Sequence, residues 1–352
     1  MFGKLSARWV IVGLLFLAVG IFARNYIKPS EQPAEHVPKI AFVTALGSGD
    51  DFWKIVIAGA NAAANDYKTD LVVLEPKESE YDSQSSILFG LDPAEFDGIA
   101  VSPTAPTDQT KTLSRLATQT NLVTYDSDAP LSLRHCYVGT NNTSAGRLCG
   151  RLVKEALPKG GQVAIFIGDV ARDNSRLRRD GLIETLLADV DGESTDGYPV
   201  NQQITGGGFV IVKTYLDGSN PKQAQQNAAQ ALKDYPEIDG LIGLYGYNGP
   251  AILEAVTEAG KVGQVKIVAF DEFEKTLQGI ADGAIHATVL QDPYQYGYES
   301  VRMLHSLSSK AFQADELMGR GSLFLPCAAL RKDDIAQYRK KLASRLSAAS
   351  DQ

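Results

Sequence analysis

Cysteine is scarce in this chain: Cys136, Cys149 and Cys327 are the three in 352 residues. Thiols at those separations make neither a disulfide framework nor a zinc-binding spacing. Cys149 shares a helical face with Ala145, Leu148 and Leu152, which reads as core packing, while a single Cys136–Cys149 bridge in an oxidising compartment stays open. Histidine is thin as well, with His36, His135, His286 and His305 scattered along the chain. There is no G-x-S-x-G, no H-E-x-x-H, no P-loop and no G-x-G-x-x-G after a strand. The Gly206-Gly207-Gly208 run lacks the strand–turn–helix setting of a phosphate cradle and reads as loop. Asp126 and Asp128 form an acid pair, but nothing beside them sets up a nucleophile. These absences argue against an enzyme and against a resident metal or cofactor. Positive charge is not in excess either: the formal net charge is −8, and nucleic-acid binding wants a basic face.

Long hydrophobic runs are missing except at the amino terminus. Lys4 and Arg8 precede an unbroken apolar stretch over residues 9–23, and Arg24 follows it. A basic start before 7–15 apolar residues is the pattern of an export signal. At 1.5 Å per residue the stretch spans about 22 Å, short of the ~30 Å hydrocarbon thickness. No clear A-x-A cleavage site is present, Leu17-Ala18-Val19-Gly20 being the nearest candidate, and no Cys stands near it for lipoprotein processing. The expectation is a periplasmic or other extracytoplasmic protein whose residues 9–23 are either removed or kept as a membrane anchor. Pro29, Pro33 and Pro38 mark residues 1–38 off as leader plus linker.

From Lys39 onward, short apolar segments alternate with helical patterns. Strands are predicted over 40–44, 71–74, 98–101, 122–125 and 137–140, with helices over 53–66, 83–90 and 107–120 between them. Asn141-Asn142 supplies an N-cap for a helix reaching residue 157, and Pro158-Lys159-Gly160-Gly161 then punctuates. The alternation resumes with strands over 163–167, 209–215, 241–244, 265–270 and 287–290. Helices are predicted over 177–187, 221–233, 250–259 and 272–283, a loop over 189–208, and a polar helix or tail over 331–352. Apolar strands interleaved with helices mean parallel sheets covered on both faces. At this length, beyond what one core serves, two doubly wound α/β units are expected.

The strands end in polar and aromatic clusters. These include Asp50-Asp51-Phe52-Trp53, Ser102, Tyr125-Asp126-Ser127-Asp128 and the stretch from Asp169 to Arg178. Tyr215-Leu216-Asp217, Tyr245-Gly246-Tyr247-Asn248, Phe270-Asp271-Glu272 and Gln291-Asp292 continue the series. Open α/β sheets bind ligands beyond the carboxyl ends of their strands. A sugar offers hydroxyls that donate and accept and C–H faces that are apolar; carboxylates, Asn, Gln and Arg answer the first, and aromatic rings the second. The candidate ligand residues are therefore Asp50, Phe52, Trp53, Ser102, Asp126, Arg178, Tyr247, Asn248, Phe270, Asp271 and Gln291.

In order and spacing these stretches resemble the type I periplasmic sugar-binding proteins, the ribose-binding-protein-like solute receptors of ABC transporters. The resemblance runs from about Lys39 to Arg331. It rests on Ile40-Ala41-Phe42-Val43 with Asp51-Phe52-Trp53, Ile99-Ala100-Val101-Ser102-Pro103-Thr104 and Val123-Thr124-Tyr125-Asp126. Val138-Gly139-Thr140-Asn141-Asn142, Arg176-Leu177-Arg178-Arg179-Asp180-Gly181, Ile267-Val268-Ala269-Phe270-Asp271 and Ala287-Thr288-Val289-Leu290-Gln291 complete it. It implies ring stacking by Phe52, Trp53 and Phe270, hydroxyl contacts from Asp126, Arg178, Asp271 and Gln291, and Tyr247 or Asn248 at the family's Asn position. It also implies a three-crossing hinge, with crossings at Thr140-Asn141, near Gln291-Asp292 and near Gly321-Ser322. The domains would then be 39–140 with 292–321, and 141–291 with 322–330. Asp50 and Ser102 stand where ribose binders resemble one another in having Asn, and Ser127 stands where they carry Arg, so ribose itself is in doubt. A hydrophobic export segment replaces the helix-turn-helix of the family's repressor relatives. The resemblance implies a monomer that closes over a monosaccharide and presents it to an ABC permease; the alternative is an anchored sensor handing sugar occupancy to a signalling receptor.

Overall fold

A computed structural model of the protein describes residues 36–47, 49–77, 81–187, 197–309 and 321–350. The expectations for residues 1–35, export signal and anchor included, lie outside the described residues. Among those described, no helix is long and apolar enough to cross a membrane.

The first lobe opens with β1 (Lys39–Val43), α1 (Asp51–Asp66), β2 (Asp70–Leu74), α2 (Tyr81–Gly90), β3 (Gly98–Val101), α3 (Pro106–Ala117), β4 (Asn121–Tyr125) and β5 (Cys136–Thr140). The chain then enters the second lobe with α4 (Asn142–Ala156), β6 (Gly161–Ile167), α5 (Asp173–Leu186), β7 (Ile204–Gly206), β8 (Phe209–Leu216) and α6 (Pro221–Asp234). That lobe continues through β9 (Gly240–Gly243), α7 (Asn248–Glu258), β10 (Lys266–Phe270), α8 (Glu274–Asp282) and β11 (Ala287–Leu290). The chain returns as α9 (Pro293–Ser308) and β12 (Gly321–Leu325), crosses again to β13 (Ala328–Leu330), and ends in α10 (Ile335–Ser350).

The first sheet is parallel throughout, in the order β2-β1-β3-β4-β5-β12. The second runs β13-β11-β10-β9-β6-β8-β7, with its two edge strands antiparallel. Two-residue periodicity explains why both faces of each sheet are apolar. Ile40 and Phe42 of β1 face the layer of α1 and α9, while Ala41 and Val43 face that of α2 and α3. In β6, Val163, Ile165 and Ile167 face α4 and α5, and Ala164 and Phe166 face the opposite layer.

The elements anticipated between residues 39 and 290 all form, with ends displaced by a few residues. Three features differ. Residues 204–206 are a strand, not loop: Gly207 (φ 55°) and Gly208 (φ 80°) both take left-handed backbone, and a two-residue turn of that kind closes the β7–β8 hairpin. Residues 293–308, for which no element was anticipated, form α9. The third crossing lies at residues 326–327, not at Gly321-Ser322, because β12 pairs with β5 over its whole length before the chain leaves the first sheet. All three cysteines are free thiols; Cys136 lies in the first lobe's sheet and Cys149 in the core of the second lobe, so no bridge joins them.

Candidate ligand site

The strand ends of β4 and β10 carry the two residues that organise the site. Asp126 and Asp271 directly follow their strands, and both sit in left-handed backbone, at φ 56° and 62°. That conformation costs most L-residues a clash, and Asp is among the few that tolerate it. In each case the backbone N–H donates to the neighbouring strand, Asp126 to Val138 O (3.0 Å) and Asp271 to Val289 O (2.8 Å). The two lobes thus repeat one device, a carboxylate swung out of the sheet by a single left-handed residue.

Arg178 of α5 is the hub. It is 3% exposed. Its Nε and Nη2 donate to Asn142 Oδ1 at 3.1 and 2.8 Å, Nη1 donates to Leu244 O at 2.8 Å, and Nη2 also donates to Gln291 Oε1 at 2.6 Å. Gln291 in turn donates from Nε2 to Asp271 Oδ1 at 2.7 Å. The guanidinium lies 4.5 Å over the Phe270 ring, whose side chain is fully buried. On the first lobe, Ser102 Oγ donates to Asp126 Oδ2 at 3.1 Å and Tyr137 Oη to the Asp126 carbonyl at 2.9 Å.

Electrostatics tie these groups together across the cleft. Burial raises the Asp126 carboxyl above its ordinary value, opposed by the Arg178 charge, the Ser102 bond and Arg172. Burial pushes Asp271 up to about 6; Arg178 and the Gln291 bond pull the other way, and the negative charges of Asp126 and Asp50 add to the rise. Neighbouring Glu272 is pushed up to about 8 by burial and by Asp271. Carboxylates from both lobes thus share the field of one buried guanidinium, and the set offers acceptors to hydroxyl donors and N–H donors to hydroxyl acceptors.

The remaining anticipated residues fall on two sides of this network. Asp50 is the N-cap of α1, accepting from the Phe52 and Trp53 backbone N–H groups at 2.9 and 3.4 Å. Phe52 sits at the rim, lining with Ile55 a crevice whose opposite wall is Asp271, Glu272 and Phe273. Trp53 is 6% exposed and packs edge-on to Tyr125 in the first lobe's core. Phe270 likewise lies beneath Arg178 in the second lobe's core rather than at the rim. Tyr247 and Asn248 share one partner: Tyr247 Oη donates to Asp217 Oδ1 (2.5 Å) and Asn248 Nδ2 to Asp217 Oδ2 (2.9 Å). Asn248 Oδ1 accepts from the Tyr245 backbone N–H at 2.9 Å, so both ends of its side-chain amide are held, by the strand end and by Asp217.

Two residues of this network are not among the candidates from sequence: Asn142, and Tyr296, whose hydroxyl approaches Gln291 Oε1 at 3.4 Å and Thr140 Oγ1 at 2.5 Å. The Asn141-Asn142 doublet was a signal, since only Asn141 is needed for the cap. Tyr296 leaves none, because it reaches Thr140 of β5 from 156 residues away in sequence. Beside Ser127 a cavity of about 330 Å³ opens between the lobes, with Tyr137, Asn142, Asn174 and Phe324 among its walls.

Two lobes of parallel sheet, joined by three crossings and facing each other with buried polar strand ends, define the class of two-domain solute receptors. The chain matches the periplasmic binding protein domain over residues 40–311 and belongs to that family. It is similar to the D-allose-binding periplasmic protein of Escherichia coli K12, 21% identical over 243 residues covering 66% of this chain and 72% of that one. A glucose-galactose binding protein from Geobacillus stearothermophilus has a similar structure, with TM-score 0.74 and 25% identity over 85% of this chain and 99% of that chain. An ABC transporter solute-binding protein from Burkholderia graminis, solved in complex with D-arabinose, aligns with TM-score 0.75 at 24% identity over 87% of this chain and 99% of that chain. The fold is thus that of the type I periplasmic binding proteins, and sugar binding is the activity of these relatives.

Proposed function

We propose that this chain captures a monosaccharide or similar polyol between its lobes, closes over it and delivers it to an ABC transporter permease outside the cytoplasm. The observation that carries the reading is the pair of left-handed carboxylates at strand ends of opposite lobes, Asp126 held by Ser102 and Asp271 by Gln291, which also takes a bond from the buried Arg178. A ring with hydroxyls on both edges would engage both at once, and only a closed cleft lets it do so, so binding shifts an open–closed equilibrium. The relatives named for D-allose and for glucose and galactose support an aldose ligand. Asp50, Phe52, Ser102 and Gln291 complete the proposed contact set, with Trp53, Phe270, Tyr247 and Asn248 supporting it from behind.

The test is a thermal-shift screen with D-allose, D-ribose, D-arabinose, D-xylose, D-glucose, D-galactose and D-tagatose. A ligand at a hundred times its Kd stabilises the native state by about 2.7 kcal/mol, a shift of several degrees. If none of these sugars raises the melting temperature at millimolar concentration, the cleft is not a monosaccharide site. A tethered sensor would use the same cleft, and the apolar stretch at 9–23 favours it wherever that stretch is retained. The mass of the mature amino terminus separates the two roles.

A further inference from the structure

Beyond the third crossing the chain continues into α10, a helix the two sheets do not need. Its first turns belong to the second lobe: Ile335 is buried and Tyr338 packs on the same cluster. Tyr338 lies beside the buried Glu272 carboxyl, to which it is electrostatically coupled, and Arg339 donates from Nη2 to Glu274 and to Gln278 of α8. Its later turns reach the other side. Arg345 forms a two-pronged ion pair with Asp292, Nη1 to Oδ1 at 2.7 Å and Nη2 to Oδ2 at 3.3 Å. The same guanidinium lies 4.6 Å over the ring of Tyr294, at the start of α9. Tyr294 is first-lobe structure, its backbone lying against Gly59 of α1, and α10 itself packs along α1.

Tyr338 and Arg345 are two helical turns apart and so share one face. What that face holds is specific. Glu272 is the residue after Asp271, and Asp292 is the residue after Gln291; Asp271 and Gln291 are the bonded pair beside Arg178. Asp292 also occupies left-handed backbone (φ 59°) in the second crossing itself, where rotation of the lobes would change its dihedrals.

We infer that the carboxyl-terminal helix is an interlobe strap, in which Tyr338 and Arg345 position Asp271 and Gln291 and hold the lobes in the arrangement seen here. Opening the cleft further must then slide α10 along α1 or break the Arg345–Asp292 pair, so the strap favours the interlobe arrangement seen here before ligand arrives. The positioning half rests on the reading of the cleft as a sugar site; the strap half does not.

The experiment uses the full chain with spin labels at Gln119 and Lys233, exposed positions on the first and second lobes, and compares Arg345→Ala, Arg345→Lys, Tyr338→Phe and the exposed-face control Lys341→Ala. Without ligand, Arg345→Ala should lengthen and broaden the interlobe distance distribution, Arg345→Lys should restore part of it, and Lys341→Ala should match the parent. With the sugar that gives the largest thermal shift, Arg345→Ala and Tyr338→Phe should each raise Kd about three- to tenfold. Arg345→Lys keeps the charge, so it reports on the ion pair even if Arg345→Ala fails to fold. An unchanged distance distribution in folded Arg345→Ala overturns the strap, whatever happens to affinity. A shifted distribution with no sugar binding in any variant upholds the strap and removes the sugar reading instead.

Discussion

On the proposed reading, single residues set the chemistry of this cleft, with Asp126 and Asp271 foremost. Their left-handed backbone makes Asn the informative replacement, since Asn also tolerates that conformation while it removes the charge and turns one acceptor oxygen into a donor. Hydrogen bonds to charged groups contribute about 1.5–3 kcal/mol. Asp126→Asn and Asp271→Asn should therefore each weaken sugar binding roughly 10- to 150-fold by calorimetry, at 1.4 kcal/mol per tenfold, with melting temperature little changed. Parent-like affinity in both would place the ligand elsewhere. Glu272 gives a second residue-scale prediction. Its carboxyl is raised to about 8 in the native protein, mainly by burial. The native state keeps a proton that the unfolded chain releases near pH 4.5, so this group stabilises at low pH and its contribution is lost as pH rises towards 8. The stability advantage of the parent over Glu272→Gln should shrink steadily from pH 5 to pH 8.5 in urea titrations; a constant difference across that range would contradict the buried, protonated carboxyl.

Elements bring these residues to their places, and glycine decides how closely. A Cβ on Gly146 of α4 would stand 1.9 Å from the Arg178 carbonyl oxygen on α5. In the first lobe, a Cβ on Gly297 of α9 would stand 1.9 Å from Val56 O on α1. Each lobe thus has a helix pair in backbone contact, and in the second lobe that contact carries the hub arginine. Gly146→Ala should destabilise by about 1–3 kcal/mol, as overpacking does, and should also weaken sugar binding by displacing Arg178. Gly90→Ala, with open space around its Cβ, should leave sugar binding unchanged and stabilise the fold by up to about 1 kcal/mol. Denaturant midpoints and calorimetry on the pair of variants separate helix packing from a general intolerance of alanine. The strand clusters made the polar strand ends legible in sequence, but the α4–α5 contact was not. Gly146 and Gly181 look like ordinary helix glycines until the partner helix is in place.

At the scale of the whole molecule, three crossings permit the lobes to rotate while each sheet stays intact. Asp126, Ser102 and Phe52 would move with the first lobe, and Arg178, Asp271 and Gln291 with the second. The radius of gyration should fall when a stabilising sugar is added, as measured by small-angle scattering. An unchanged radius at saturating ligand would mean a rigid cleft. The α10 strap predicts that this compaction is larger in Arg345→Ala than in the parent, because the free variant starts more open.

Local pattern by itself determined the α/β class and the carboxylates at the ends of β4 and β10, and chain length the expectation of two lobes. Alternating burial over five residues and a polar residue past a strand are properties of neighbours in sequence. Tertiary structure decided the rest. It turned Trp53 and Phe270 into core, gave Tyr247 and Asn248 to Asp217, and carried β12 into the first sheet before the last crossing. It also brought Asn142 and Tyr296 to Arg178 and Gln291. The physical reason is range: a side chain's identity says which bonds it can make, but which partner it meets across 36 or 113 residues depends on how the layers pack.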